Sequence, residues 1–343
     1  MCLIRELSNA IRKGTYRPDR ERLHRVPKAR GGFRILSIPT VRDRVVQRAI
    51  VEILTPLVEP TMASTTFGGR PGCSTWDALL AAEADVAAGN NVLVVADIRG
   101  AFDVLPHAPL RRSLEARWGA TPLVDLIMRI VVNGRSQGIG QGGPLSTLLL
   151  NIYLTDKLDL PWARSHPSER LIRWIDDQLA AAKDLTDGSL ALREMGTLLD
   201  AAGMPPKPET ETEPAVIDLS SGKNAIWLGY RICRGPRSLE ARIDETAWEE
   251  LRRELEQAHA YDRPWVHARD LIRGWIAHFG PCRDRNANAN RVANLTRELD
   301  LEEAIGIDQI LEGWQQANRR YCAKRRATTR KRRRTRKALP SQL

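Results

Sequence analysis

Apolar positions along the chain change period several times, and each change marks an element. From 42 to 58 (RDRVVQRAIVEILTPLV) the spacing is helical: Val45, Val46, Ala49, Ile50, Ile53 and Leu54 share one face, with Arg44 and Arg48 on another. Upstream, Pro27 and Pro39 bracket two short runs that a Gly31-Gly32 turn would join as a hairpin. The glycine-rich loop TTFGGRPGCST (65–75) leads into a helical stretch, WDALLAAEADVAA, which Gly89-Asn90 ends. VLVVADI (92–98) is a continuous apolar run of strand length whose last residue but one is Asp97. A mostly helical region (107–133) follows, and the loop QGIGQGGPLS (137–146) then opens the apolar helix TLLLNIYLTDKL. RLIRWIDDQLAAA (170–182) reads as two short strands meeting at Asp176-Asp177, after which the helix GSLALREMGTLLDAAG stops at Gly203. AIWLGYRI (225–232) reads as one more strand. Residues 245 to 320 read as helical throughout, with Trp248, Trp265, Trp275 and Trp314 spaced as buried anchors. Strands and helices mix without strict alternation, which predicts an α+β core followed by a helical domain.

Composition narrows the classes. With 42% apolar residues in 343, the chain has material for a real core. No apolar stretch reaches the roughly 18 residues of a membrane-spanning helix, and the start carries no signal-peptide core. The five cysteines are scattered and odd in number, and the six histidines form no HExxH. Disulfide scaffolds and zinc chemistry are therefore poor fits, and a reducing cytoplasm is the expected compartment.

Charge adds a partner. The net is +11, yet residues 319–343 alone hold twelve Lys/Arg and no acid, so the rest of the chain is close to neutral. Residues 1–48 are basic as well, which leaves the middle acidic. Cationic ends around an acidic middle suit a polyanion held at the ends and carboxylates available for metal work, although a basic tail can also be mere solvation.

Asp97 ends one apolar strand, and Asp176-Asp177 lie where two others meet. Each alone is as well explained by a turn or a helix cap. Paired in one sheet, they bring three carboxylates together, and repulsion disfavours that without a divalent cation between them. Two Mg²⁺ ions about 4 Å apart are what in-line nucleotidyl transfer uses.

The wording and order of these segments resemble reverse transcriptases, specifically the group II intron-encoded type. VPKARGGFRILSIPTVRDRVVQRAI is similar to the opening finger motifs of that family, and STTFGGRPGCSTWDAL to its next block. VVADIRGAFDVLPH is similar to catalytic motif A, QGIGQGGPLSTLLLNIYL to motif B, and RLIRWIDDQLAAA occupies the place of motif C. AIWLGYRI resembles the block after motif D, and RDLIRGWIAHFG (269–280) the RNA-binding thumb, or maturase X region. The resemblance implies a right-hand polymerase of α+β class, with an antiparallel palm sheet and a helical thumb. Its parts would be fingers (1–90), palm motif A (91–106), a fingers/palm connection (107–140), palm motifs B to D (141–235), thumb (236–318) and basic tail (319–343). It further implies a catalytic triad of Asp97, Asp176 and Asp177, with Ile98 beside them in the metal site, and two Mg²⁺ ions replaceable by Mn²⁺. Lys28 and Arg34 match residues that clamp the triphosphate, Gln141 and Gly142 those that meet the incoming nucleotide. Phe102 stands where the family places the aromatic that excludes a 2′-hydroxyl and so selects dNTPs. Nucleic acid would lie along Arg44, Arg48, Arg70 and Arg273, and along Lys324, Arg325, Arg326, Arg330, Lys331, Arg332, Arg333 and Arg334 of a tail that orders on RNA.

Three departures qualify this. Motif C reads WIDD, with Trp174 for the usual tyrosine and Ile175 for a small residue. Motif D lacks a clean Lys-Thr pair, which leaves Lys207 as its candidate for protonating pyrophosphate. The stretch before the finger motifs is short, and neither a His-Asn-His region nor a zinc motif follows the thumb segment. These features favour copying of a dedicated structured RNA from a DNA or RNA primer in a stand-alone, antiphage-defence role. An intron maturase, a repair polymerase, or an RNA-binding splicing factor with a dead polymerase are the rivals. The reading leaves room for a partner protein or a homo-oligomer, and none for a membrane.

Overall fold

The computed structural model describes residues 2–27, 32–167, 169–209, 214–236 and 238–338. Contacts divide the chain into two units, 1–74 with 92–216 and 75–91 with 217–343.

The first unit opens with α1 (Cys2–Arg12) and the expected antiparallel hairpin of β1 (Arg22–Pro27) and β2 (Phe33–Ile38). Gly31 lies outside the described residues. Pro39 ends β2, and Thr40 caps α2 (Val41–Val58), its side chain accepting from the Asp43 N–H. The buried row of α2 is Val46, Ile50, Leu54 and Val58, so Val45 (43% exposed) and Ile53 (60%) are not on the core face expected of them. They sit one residue, about 100°, round the helix from that row.

Helix α3 (Thr75–Ala87) belongs to the second unit, and the first resumes at β3 (Val92–Asp97). Then come α4 (Ala101–Val104), α5 (His107–Trp118), α6 (Pro122–Val132) and α7 (Ser146–Leu154). A π-helical turn (Thr155–Asp159) carries α7 into α8 (Leu160–Ser165). The hairpin β4 (Leu171–Trp174) and β5 (Asp177–Ala182) follows, and then α9 (Leu185–Ala201), capped by Asp184. β5 lies between β4 and β3, antiparallel to both. Beyond β3, the Ala215 carbonyl accepts from the Val95 N–H at 2.8 Å. Helix α9 approaches this sheet closely at Gly188, where a Cβ would stand 2.8 Å from Val92 Cγ1. Val94, Ile98, Leu149, Tyr153, Ala180, Met195 and Leu199 belong to one core beneath the acidic end of the sheet.

The strand β6 (Val216–Asp218) leads into the second unit. There, AIWLGYRI is not one strand but a hairpin, β7 (Ala225–Trp227) and β8 (Tyr230–Arg234), because Leu228 (φ 52°) and Gly229 (φ 77°) reverse the chain. β9 (Leu239–Ile243) completes a three-stranded antiparallel sheet. Four helices follow: α10 (Glu245–Ala258), α11 (Pro264–His278), α12 (Arg285–Glu298) and α13 (Ile307–Ala338). Trp248 and Trp314 are buried, and Trp275 packs on both, with centroids 4.6 and 5.8 Å away. Trp265 is 51% exposed and anchors nothing, since it stands in the first turn of α11 ahead of the buried row Ala268, Ile272, Ile276.

Residues 319–338 of the basic tail correct a further expectation, that of order only on RNA. Residue 319 lies inside α13, a helix of 32 residues. Acids on α3 give this helix partners: Lys324 pairs with Asp77 at 2.6 Å, and Arg325 pairs with Glu83. Among the described residues, no helix is long and apolar enough to cross a membrane.

Candidate active site

β3 and β5 pair with Asp97 directly opposite Asp177, and β4 meets β5 at Trp174↔Asp177. Ile175 and Asp176 are therefore the two residues of a tight turn, and all three acids stand at one end of the sheet. Opposed carboxylates a strand apart repel. Asp177 is still partly accessible, yet its carboxyl is pushed well above the ordinary range. Burial is the first cause, and the charges of Asp176 and Asp97 follow. Lys207 and Arg34 act in the opposite direction without reversing the shift. The backbone places Lys207: its N–H donates to the Asp97 carbonyl at 2.8 Å, while the Arg99 N–H donates to Pro205 at 3.0 Å.

The turn itself is unusual. Ile175 has φ 58°, a left-handed conformation that a β-branched residue seldom adopts. Gly68 backs directly onto it, and a Cβ there would stand 2.4 Å from the Ile175 nitrogen and 2.8 Å from the Trp174 carbonyl carbon. Only glycine permits that approach.

Hard carboxylate oxygens brought to one end of a sheet fit a divalent cation in both chemistry and charge. Among the described residues no group of three or more His, Cys, Asp or Glu side chains is arranged to hold a metal ion by itself. Mg²⁺ does not need one, because it keeps waters and substrate phosphates in its shell beside one or two carboxylates. Asp97, Asp176 and Asp177 are the side chains that would hold it. The Ile98 side chain is buried, which leaves only its backbone as a donor.

The other nucleotide-site residues singled out from the sequence are spread over β2, the 137–143 loop and α4. Arg34 is exposed on β2, on the hairpin whose charge reaches Asp177. Gln141 accepts from the Ser37 N–H at 2.7 Å, and Gly142 (φ 125°) lies against the Ser37 carbonyl, so the 137–143 loop runs along β2. Phe102 on α4 is half-buried against the core, its carbonyl accepting from Ile139 at 2.7 Å. Lys28 lies outside the described residues.

Among the cationic group, Arg44, Arg48, Arg273, Arg326 and Arg330 are exposed, Arg48 pairing with Glu52. Arg70 is an internal clamp instead: its guanidinium holds Glu59 at 2.6 Å and the carbonyls of Ala63 and Thr66 at 2.8 and 2.6 Å. Lys324 and Arg325 are engaged by the acids of α3, and Arg332 by the Leu80 carbonyl at 3.4 Å. The side chains of Lys331, Arg333 and Arg334 are outside the described residues.

Sequence reasoning passed over Arg173 and Gln178, which flank the turn and are wholly buried. The available signal was a charge inside the apolar run LIRW and an acid, Asp159, at the end of another. A buried charge must be paired, so two such charges in apolar runs point to each other.

Comparison with known proteins gives the family. The family described as reverse transcriptase (RNA-dependent DNA polymerase) matches residues 26–210, more than half of the chain. Protein YkfC of Escherichia coli K12 is 28% identical over 163 residues, which are 44% of this chain and 43% of that protein. The group II intron-encoded protein LtrA of Lactococcus lactis is 30% identical over 161 residues, 44% of this chain and 27% of that protein. The match thus spans less than half the length of either relative. The apo telomerase of Candida tropicalis is only 12% identical, but with a TM-score of 0.50 over 94% of this chain and 72% of that one it shares the right-hand polymerase fold. With an acidic strand end, a two-acid turn and a family match across both, the chain belongs to the reverse transcriptase family.

Proposed function

We propose that this protein is an RNA-directed DNA polymerase that adds dNTPs to a primer by two-metal nucleotidyl transfer. The observation that carries the reading is the register of β3 on β5, which sets Asp97 opposite Asp177 with Asp176 on the adjoining turn. Divalent cations held there, Mg²⁺ or Mn²⁺, would neutralise the triphosphate and activate the primer hydroxyl. The chain's own groups do the rest. Arg34 on the finger hairpin draws in the triphosphate, and Phe102 narrows the space beside the sugar. Lys207, tied by its backbone to Asp97, is the chain's candidate for protonating the departing pyrophosphate.

The template is proposed to be a structured RNA copied in a stand-alone, defence-type role in the cytoplasm. The exposed arginines of α13 support an RNA partner of this kind by phosphate contact. One observation favours a second reading: similarity to the intron-encoded LtrA fits a splicing factor.

Primer extension on an RNA template with Mg²⁺ and dNTPs separates the two. DNA product from the wild type and none from the Asp176→Ala/Asp177→Ala double variant is the expected outcome. Splicing of a group II intron RNA that survives in the double variant would instead support the binding role.

A further inference from the structure

The acidic turn is gripped from the core side by buried polar groups. Arg173 is wholly buried, and its Nη1 donates to the Ile175 carbonyl and to Asn151 Oδ1, each at 2.7 Å. Its Nε and Nη2 donate to Asp159 at 2.9 and 2.7 Å. Asp159, also buried, accepts from the Thr66 hydroxyl at 2.8 Å. Asn151 passes the connection on, donating to the Gly68 carbonyl at 2.8 Å, and Gly68 is the residue that backs onto Ile175. On the other side, Gln178 is fully buried and its Nε2 donates to the Asp176 carbonyl. Its Oε1 has no partner.

Both carbonyls of the two-residue turn are therefore held, one by Arg173 and one by Gln178. Fold stability alone gives little reason for this arrangement. A buried ion pair such as Arg173–Asp159 does no better than well-packed apolar residues, and the orphaned Gln178 oxygen costs stability. A left-handed isoleucine is strained, and it persists only where its surroundings over-determine it. What the arrangement secures is the direction in which the backbone presents Asp176 and Asp177.

We propose that Arg173 and Gln178 are positioning residues. They clamp the strained Ile175–Asp176 turn so that its two carboxylates are preset for divalent cations, with Asp159 and Asn151 orienting the clamp. This rests on the reading of the three acids as metal ligands.

The test uses Mn²⁺ alone, titrated calorimetrically into wild type, Gln178→Met and Arg173→Lys. Thermal unfolding and the Mg²⁺ dependence of primer extension are measured beside it. Gln178→Met strands no charge; it leaves the Asp176 carbonyl without its donor but also removes the orphaned buried oxygen, so the two effects oppose and the melting temperature should stay within about two degrees of wild type. Its Mn²⁺ affinity should nonetheless fall about tenfold or more, as loss of an outer-shell partner does, with a matching rise in the Mg²⁺ needed for half-maximal extension. The KM for dNTP at saturating Mg²⁺ should stay as it was. Arg173→Lys keeps the charge for Asp159 but cannot span both Asn151 and Ile175, and should shift Mn²⁺ binding the same way. A side chain that merely supports the fold would move stability and affinity together. Wild-type Mn²⁺ affinity in a stable Gln178→Met overturns the clamp and leaves the polymerase reading intact. A wild type that binds no Mn²⁺ overturns both.

Discussion

Two hairpin turns in this chain open alike and are put to opposite ends. Ile175-Asp176 links β4 to β5, Leu228-Gly229 links β7 to β8, and in each the first residue is a large aliphatic in the left-handed region, at φ 58° and 52°. The second turn follows with a glycine at φ 77°, the usual chemistry for a two-residue reversal. Neutral groups hold it: His278 Nε2 donates to the Leu228 carbonyl at 3.2 Å, and the Asp244 N–H to the Gly229 carbonyl at 3.1 Å. The first turn follows with Asp176, and a buried charged network holds it. Both turns carry a left-handed aliphatic residue. Only the one that must keep like charges together is braced by a buried charge.

The largest effect separating the two comes from the acids. Asp97→Asn or Asp176→Asn should cut primer extension by about a thousandfold or more, on the order of 4 kcal/mol of transition-state stabilisation. Thermal stability should hold or rise, because each change removes a charge that resists ionisation of Asp177. Leu228→Asn, a residue tolerant of positive φ, should leave extension at the wild-type rate. A stable Asp176→Asn with normal extension would dissolve the distinction between the turns.

Glycine-to-alanine changes come next. Gly68→Ala drives a Cβ into the backbone of the Ile175 turn, and that backbone must shift. Displacement of catalytic groups by about 1 Å can cost on the order of a hundredfold in rate, and extension should fall by that much. Gly229→Ala places a Cβ 3.2 Å from Phe279 Cζ at φ 77°. It should cost about 1–2 kcal/mol of stability and leave the turnover of folded enzyme alone. The pair is read by measuring rate and melting temperature on the same samples.

The two turns also differ in how much of them the sequence discloses. An apolar run ending in Asp97, and another meeting Asp176-Asp177, are local patterns, and antiparallel pairing then brings the acids together. AIWLGYRI has no Asn-Gly or Asp-Gly to announce a reversal, so a run of eight reads as one strand although Leu228 reverses it. Arg173 looks like an ordinary surface charge until Asp159, fourteen residues earlier, is seen to meet it in the core. Arg70 looks like a nucleic-acid contact until Glu59 takes its guanidinium. The tail has the composition of a disordered cation, and what makes it a helix with partners is the pair of acids on α3, about 240 residues away in sequence. Periodicity and strand ends are visible locally, whereas pairing of distant charges is a property of the folded chain.

The smallest effect belongs to the Leu228 turn. His278 is stacked on Tyr230, with centroids 5.1 Å apart, and accepts the Thr75 hydroxyl at Nδ1 (3.3 Å) while Nε2 donates to Leu228. Both ring nitrogens are thus satisfied in the neutral form, and burial holds the pKa below the ordinary 6.5. The sign follows from which state takes up the proton. Below about pH 6.5 the unfolded chain binds a proton that the folded histidine refuses. The stabilisation is therefore complete above that pH and is lost as pH falls through the folded value. Thermal unfolding followed from pH 7 to pH 5 should show a decline that His278→Gln reduces by about two degrees, since glutamine can donate to Leu228 but cannot titrate. An unchanged slope in the variant would mean that His278 takes up its proton as readily in the folded chain as in the unfolded one.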